Sequence, residues 1–385
     1  MLTTLDLRNF TVFRDARLEF SPGLNVLVGD NGTGKSHVLQ LGFALLQVAA
    51  SIDRKRPALD KDKDGVRRRL AEALMATFRP DALERLVSHG SAASSVSAVL
   101  GQGGILTFSL CALSGATSRT GSGINARPDE GHRKAQEAKT AGAHSPEDHA
   151  PHAPDDVLRL DVQAVEQKPG PCFLPWPGDM GCAGQSSPAA GRACSPAACA
   201  RLEAGASARP NRKGKGRAGT ARILARIEDM LGASVCGSGN RLCFVSGGRR
   251  REASLAAGGH RQLAQLALLL KTGRLRHHAS LFWDDPEAHL NPRLQAGLAE
   301  LLAELARNVQ IILATHSLFL LRELDILKKQ GKLKECAYFN LQAGPEGVEV
   351  QQACKAGWLG DFSSLGCAVA QAKRYMELIY AEESA

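Results

Sequence analysis

The octapeptide GDNGTGKS, Gly29 to Ser36, constrains this chain more than any other stretch. Before it stands LNVLVG, Leu24 to Gly29, which reads as a short buried strand. After it, Val38, Leu39, Leu41, Leu45 and Leu46 recur at helical spacing and make a broad apolar stripe. A strand, a GxxxxGK[ST] turn and a helix in that order form a phosphate-binding loop. Gly29, Gly32 and Gly34 let the backbone wrap into a nest of N–H groups, with Asp30, Asn31 and Thr33 threaded between them. Lys35 is placed to reach the β- and γ-phosphates of a nucleotide, and Ser36 to offer its hydroxyl to Mg2+. The helix beginning here turns its positive end toward the same anion. A glycine-rich turn that binds nothing is the alternative, and the complete spacing with both flanks weighs against it.

The rest of the chain supplies the sheet such a loop needs. Leu5, Leu7 and Phe10, then Leu18 and Phe20 ahead of Ser-Pro-Gly, alternate as strands do. Asp53 to His89 is charged and helical in character. Further on, ARILARIEDMLGASV is an amphipathic helix with Ile223, Leu224, Ile227 and Leu231 on one face, and RLCFVSGG is a strand. GHRQLAQLALLLKTG is a helix with Leu263, Leu266, Ala267 and Leu270 on one side, stopped at Gly273. ASLFWDD and VQIILAT are buried strands. The first leads into a helix with Asn291 as N-cap and Pro292 at its first position. The second leads into the helix SLFLLRELDILKK. AYFNLQ and GVEVQQ form a closing hairpin. Strands alternating with helices predict an α/β fold with a mainly parallel sheet covered on both faces.

Between 114 and 219 the texture changes. Ala, Gly, Ser, Pro, Arg and His dominate and no period persists, which predicts a low-complexity, largely disordered insertion. CFLPWP, Cys172 to Pro177, is its one apolar island. The expected division is 1–113, the first half of an ATP-binding unit; 114–219, the insertion; and 220–385, the second half. Cys172, Cys182, Cys194 and Cys199 read as reduced thiols in this segment. A zinc site would bring closely spaced ligand pairs, which are missing. The acids and histidines of EDHAPHAPDD, Glu147 to Asp156, read as solvated linker.

A net charge of +9 permits a polyanionic partner such as DNA. Much of the excess lies in Arg54-Lys55-Arg56, Arg67-Arg68-Arg69, Arg212 to Arg217 and Arg249-Arg250-Arg251, each of which reads equally as a solvated loop. No apolar run approaches the ~18 residues of a membrane span. The N-terminus lacks the basic-then-apolar layout of a secretory signal. The expectation is a soluble, cytoplasmic protein with no membrane partner.

Three further stretches carry chemistry. In LFWDDPEAHLNP, Leu281 to Pro292, an apolar run ends in Asp284 and Asp285. Downstream of a phosphate loop, Asp284 suits a carboxylate that holds Mg2+ through water, and Asp285 a group that polarises the attacking water. In LATHS, His316 follows a buried strand, where it can touch a γ-phosphate; alone, it would read as structural. In SLAAGGHRQLAQL, Gly258 and Gly259 open a helix whose N-terminus can bind a phosphate presented by another subunit. Without its company this too would be a plain loop.

These motifs, in this order, resemble the ATP-binding-cassette (ABC) type of ATPase, specifically the RecF/SMC/OLD-like group often called AAA family ATPases. LRNFTVFRDARLEFSPGLNVLVGDNGTGKSHVL is similar to that group's opening, and DDPEAHLNP to its DEPExxLHP run. The likeness covers Met1 to about Ala50 and about Arg222 to Gln342. It implies a P-loop NTPase head that binds ATP and Mg2+. Gly29 to Ser36 would be the Walker A loop, with Lys35 acting in catalysis. Asp284 would be the Walker B acid, Asp285 would stand at the catalytic Glu position, and His316 would be the switch His. Asn291 and Pro292 would fall in the D-loop. Ala256, Ala257, Gly258, Gly259 and His260 would be the signature loop. The family further implies a head-to-tail homodimer in which each signature closes over the other chain's ATP.

Members split by what is built onto the cassette. No sustained heptads fill the gap before the signature, so no long coiled-coil arm is expected. From His316 to Ala385 there is chain only to finish the cassette, so no nuclease domain is expected either. Stand-alone members resemble the ATPase components of bacterial DNA-repair or anti-phage systems that work with a separately encoded effector. Two departures stand out: Asp285 replaces the usual Glu, and Ala257 the usual Ser. The leading reading is an ATP-binding and hydrolysing switch; because both departures weaken turnover more than binding, the second is a nucleotide-gated binding module that hydrolyses slowly or not at all. A transporter subunit is disfavoured because PEAHLNP replaces its usual run and more than half the chain separates Lys35 from Gly259. Gln102 is the candidate for a Q-loop.

Overall fold

A computed structural model describes residues 1–52, 63–101, 103–112, 157–163, 171–174, 217–238, 241–353, 370–377 and 379. Its strands in chain order are β1 (Leu2–Phe10), β2 (Phe13–Glu19), β3 (Leu24–Gly29), β4 (Ala93–Leu100), β5 (Gly104–Cys111), β6 (Leu158–Gln163) and β7 (Cys172–Leu174). There follow β8 (Ser234–Ser238), β9 (Arg241–Ser246), β10 (Arg249–Glu252), β11 (Ser280–Asp284), β12 (Gln310–Ala314), β13 (Cys336–Gly344) and β14 (Gly347–Ala353). The helices are α1 (Lys35–Ser51), α2 (Lys63–Phe78), α3 (Arg217–Leu231), α4 (Gly258–Lys271), α5 (Pro292–Leu305) and α6 (Leu318–Lys329).

The main sheet runs β14-β13-β3-β12-β11-β7 and is parallel except for the hairpin partner β14. Its strands are apolar on both faces, as a covered parallel sheet requires. Period-two alternation sorts them cleanly. Leu281, Trp283, Ile311, Leu313, Leu24, Val26, Val28 and Tyr338 face the core shared with α3, α4, α5 and α6. Phe282, Ile312, Ala314, Phe339 and Leu341 face the opposite core, built with α1, α2 and a second sheet. That second sheet, β2-β1-β4-β5-β6, is antiparallel throughout. Gln352 ties the two sheets together: its side chain accepts from the Glu19 N–H at 3.2 Å and donates to the Glu19 carbonyl at 2.7 Å. A small sheet, β10-β9-β8, closes its β9–β10 hairpin through Gly247 and Gly248, both at positive φ.

The expected α/β head with a mostly parallel sheet and N-terminal antiparallel strands is what the chain forms. One face of the main sheet is covered by α1 and a sheet as well as helices, where sequence reasoning expected helices alone. The strands β4 and β5 had no forecast, because the alternation in ASSVSAVL and GILTFSLC is diluted by Ser, Ala and Thr. Within 114–219, the strands β6 and β7 and the first turn of α3 are described, and the remainder lies outside the described residues. β6 pairs with β5 from Leu158↔Leu110 onward, and β7 pairs with β11 through Leu281↔Cys172. Their order comes from a partner strand's backbone, which local composition does not reveal. Cys172 is buried in β7, and burial pushes its thiol up to about 11. Cys182, Cys194, Cys199 and Glu147 to Asp156 lie outside the described residues.

Candidate functional site

Parallel register assembles the site. Ala314 of β12 pairs with both Asp284 of β11 and Leu27 of β3, so three strands end side by side. The C-terminal ends of parallel strands are where open α/β sheets hold ligands. Here those ends carry the loop 29–36, the acids 284–285 and the segment 315–317.

The loop is strung between β3 and the N-terminus of α1. Two of its glycines cannot be replaced without movement. A Cβ on Gly29, at φ +147°, would run into the Leu341 carbonyl oxygen. One on Gly34, at φ +85°, would lie 2.6 Å from Val12 Cγ2 and 2.8 Å from the Phe13 ring. The β1–β2 turn therefore presses directly on the loop. From the same turn, the Thr11 hydroxyl meets His37 Nδ1 at 3.1 Å. Thr33 Oγ1 donates to the Asp30 carbonyl at 2.9 Å. Lys35 is buried, and its Nζ donates to the carbonyls of Gly29 at 2.9 Å and Asp30 at 2.7 Å.

Charge converges on that lysine. Burial lowers the Lys35 pKa, opposed by the attraction of Asp285, Asp284 and Asp30. Burial pushes Asp284 up to about 6; the Ser36 hydrogen bond, Lys35 and His316 pull it down, and Asp285 repels it further up. Asp285 is raised by burial and lowered by Lys35. His316 is exposed and held low by burial of part of its ring and by Lys35, with Asp284 and Asp30 acting the other way. The predicted residues Lys35, Ser36, Asp284, Asp285 and His316 thus form one electrostatic cluster. The Ser36 hydroxyl beside the Asp284 carboxylate is a donor set suited to a hard cation such as Mg2+. The donor-rich loop beside it suits polyphosphate.

Asp285 sits at φ +43°, outside the ladder's ordinary conformation, yet its N–H still donates to the Ala314 carbonyl at 3.0 Å. Asp tolerates this left-handed region better than Glu, which bears on the missing Glu. Asn291 caps α5 as expected, accepting from the Leu294 N–H at 3.0 Å, with Pro292 at the first position.

The loop 256–260 leads into α4, whose N-cap, Ala257, makes no side-chain hydrogen bond. Its glycines pack on the following segment of the same chain: a Cβ on Gly259 would meet Leu290 Cδ2 at 2.5 Å and the His289 carbonyl at 2.9 Å. Leu255, just before it, is 86% exposed. Of the basic clusters, Arg249, Arg250 and Arg251 are exposed on the edge strand β10, whereas Arg67 and Arg69 are half-buried on α2. Residues 54–56 and 212–216 lie outside the described residues, as does Gln102.

Sequence reasoning passed over Glu287. An acid after Pro286 reads as solvated, but this one is buried, with its carboxyl pushed by burial up to about 7. The Thr315 hydroxyl and the Ser317 N–H both donate to it. Only the β11–β12 register reveals this, because the partners are far apart in sequence.

A family profile described as "AAA domain, putative AbiEii toxin, Type IV TA system" matches residues 130–322, half of the chain, and spans the loop 256–260, both acids and His316. A second, "AAA domain", matches residues 4–61 around the phosphate loop. No curated protein matches the sequence. Among solved structures, an SMC head bound to the C-winged helix domain of ScpA aligns with TM-score 0.53 at 12% identity, covering 93% of this chain and 99% of that one. An SMC head with an extended coiled coil bound to the C-terminal domain of ScpA, from Pyrococcus furiosus, gives 0.49 at 11% identity over 98% and 99%. RecF gives 0.43 at 11% over 91% and 98%. The first of these shows a shared fold. With a phosphate loop, paired acids and His gathered at one end of the sheet, and family profiles covering both halves of that site, the chain belongs to the AAA-domain family and shares the fold of an SMC head.

Proposed function

We propose that this protein is an ATP-driven switch: it binds ATP with Mg2+, closes as a head-to-tail dimer, and reopens on slow hydrolysis. One observation carries the reading. Lys35, the Ser36–Asp284 pair, Asp285 and His316 share a single cluster at the ends of β3, β11 and β12.

Roles follow from position. The backbone N–H groups of residues 29–36 and the positive end of α1 receive the phosphates. Lys35 turns from the Gly29 and Asp30 carbonyls to the β- and γ-phosphates. Ser36 and Asp284 would hold Mg2+, which when bound withdraws charge from the phosphate oxygens. Asp285 orients the attacking water, and His316 donates to the γ-phosphate. Gly258, Gly259 and His260 at the start of α4 would face the ATP of a second copy, with Ala256 and Ala257 leading in and exposed Leu255 at its rim.

Slow turnover is favoured by two features. Asp285 is one methylene shorter than Glu, and a misplacement of ~1 Å costs on the order of a hundredfold. Ala257 brings no hydroxyl to the interface. A nucleotide-gated binding module with negligible hydrolysis is the second reading. Exposed Arg249 to Arg251 favour a polyanion, in keeping with a role in DNA repair or anti-phage defence beside a separately encoded effector.

The test measures ATP affinity, ATP turnover and oligomeric state, with and without duplex DNA, for the native chain and Lys35→Ala. Binding with slow, Mg2+-dependent turnover and nucleotide-dependent dimerisation is expected. Binding without turnover selects the second reading, and no ATP binding removes both. DNA binding through phosphates must weaken steeply with salt.

A further inference from the structure

Glu287 is the only buried acidic side chain among the described residues. Its Oε1 accepts from the Thr315 hydroxyl and, at 3.2 Å, from the Ser317 N–H. These residues stand on either side of His316. The Thr315 hydroxyl also accepts from the Ser317 N–H at 3.0 Å, and the Thr315 N–H donates to the Leu27 carbonyl at 3.0 Å. Ser317 Oγ donates to Gln295 Oε1 at 3.0 Å, and Gln295 Nε2 donates to the Leu290 carbonyl at 2.9 Å. Gly258 and Gly259 pack on His289 and Leu290. One carboxylate therefore joins the loop 286–290 to both residues flanking His316, through the Thr315 hydroxyl and the Ser317 N–H, while the imidazole stays exposed. Among the described residues, Glu287 Oε2 has no hydrogen-bond partner. A buried, half-satisfied acid is destabilising in itself, so stability does not account for it.

We propose that Glu287 is a positioning residue: it holds the His316 backbone in register with the loop 286–290, so the imidazole's place depends on where that loop lies. The proposal rests on the reading of His316 as the γ-phosphate donor. In Glu287→Ala the turnover number falls on the order of tenfold to a hundredfold with ATP affinity unchanged, as for a misplaced catalytic group. Glu287→Gln keeps an oxygen acceptor for both donors and restores most of the rate. In the His316→Ala background, Glu287→Ala adds nothing further, because the two act as one unit. Additive losses, or equal losses in the Gln and Ala variants, overturn the proposal. An NMR readout separates this from failure of the ATPase reading. With ring-labelled His in the full chain, the resonance missing in His316→Ala must shift or broaden in Glu287→Ala, whether or not ATP is hydrolysed. An unmoved resonance also overturns it.

A separate observation concerns the small sheet. Cys236 and Cys243 are direct cross-strand partners on β8 and β9, and both are free thiols. Opposed residues in an antiparallel pair have Cα atoms about 4.5–5.5 Å apart, within the range a disulfide spans. Cys243 is buried and Cys236 is partly open to solvent. The Arg250 guanidinium donates to Cys243 Sγ at 3.0 Å. We propose that this pair is an oxidation site. Hydrogen peroxide takes two electrons and two protons from the thiols; the S–S bond forms, the O–O bond breaks and two waters leave. Cys243 also pairs with Glu252 of β10, just ahead of the loop 256–260, so the bond would stiffen the approach to that loop.

Peptide mapping of the peroxide-treated chain is expected to recover a Cys236–Cys243 linked peptide lighter by two hydrogens. Alkylation should be lost at both positions, and Cys236→Ser should restore it at Cys243. Undiminished alkylation of both thiols, or linkage of either to another cysteine, overturns the proposal.

Discussion

The side chain of Ser36, the second residue of α1, stands beside the carboxylate of Asp284, the last residue of β11, and pulls its pKa down against burial. The two lie in different halves of the sequence and meet because β3 and β11 flank the same strand in parallel register. If they hold Mg2+ together, removing either affects metal-dependent binding alone. Ser36→Ala and Asp284→Asn should weaken ATP binding about tenfold to a hundredfold in Mg2+, on the scale of one charge-assisted bond, and little in EDTA. Titration with a fluorescent ATP analogue checks this. Equal losses in both buffers would rule out a metal role.

Asp285 should limit the chemical step. Asp285→Glu extends the carboxylate by one methylene and should raise the single-turnover rate on the order of tenfold or more. The structure adds a second consequence. At φ +43° a Glu is less comfortable than an Asp, so the same variant should lose about 1 kcal/mol of stability in denaturant titration. An unchanged turnover rate would remove the short side chain as the explanation for slow hydrolysis.

Burial holds the Glu287 proton to about 7, against an ordinary value of 4.5. Between those values the folded protein binds more proton than the unfolded chain, so this group's contribution to stability falls as pH rises through the window. Asp284 acts in the same sense between 3.8 and about 6. Without nucleotide or metal, the thermal midpoint of the native chain should drop more steeply with rising pH across this window than that of Glu287→Gln. Identical slopes for the two proteins would contradict the assignment.

Gly259 is a packing requirement as well as a helix start. A methyl group there meets both Leu290 and the His289 carbonyl below normal contact distance. Gly259→Ala should cost about 1–3 kcal/mol, the usual scale of overpacking, whereas Gly232→Ala, next to open space but at φ +61°, tests backbone strain alone. Urea unfolding of the two variants separates the effects. If the Gly259 variant matched the native chain, the contact with the loop 286–290 would have to be loose.

Much of this was legible in residues alone. The phosphate loop, the strands LNVLVG, ASLFWDD and VQIILAT, and the Asn291-Pro292 helix start are local features, each set by backbone freedom, apolar run length or capping chemistry within a few positions. Asp284 and His316 were found because they follow apolar runs. β6 and β7 were not foreseen as strands, since edge pairing lends order to stretches whose own composition carries little. Glu287 had no local signature at all.

What sequence by itself determined is the set of groups, a glycine-rich loop with Lys35 and Ser36, two adjacent acids and a His, and that a mainly parallel sheet would carry them. What tertiary structure decided is how those groups work together. Register across β3, β12 and β11 brings Ser36 to Asp284, and Glu287 to the residues on either side of His316. It also sets an Asp, rather than a Glu, in a left-handed turn. Contacts between residues so far apart in the chain arise only when the strands align, and that alignment depends on every buried side chain between them.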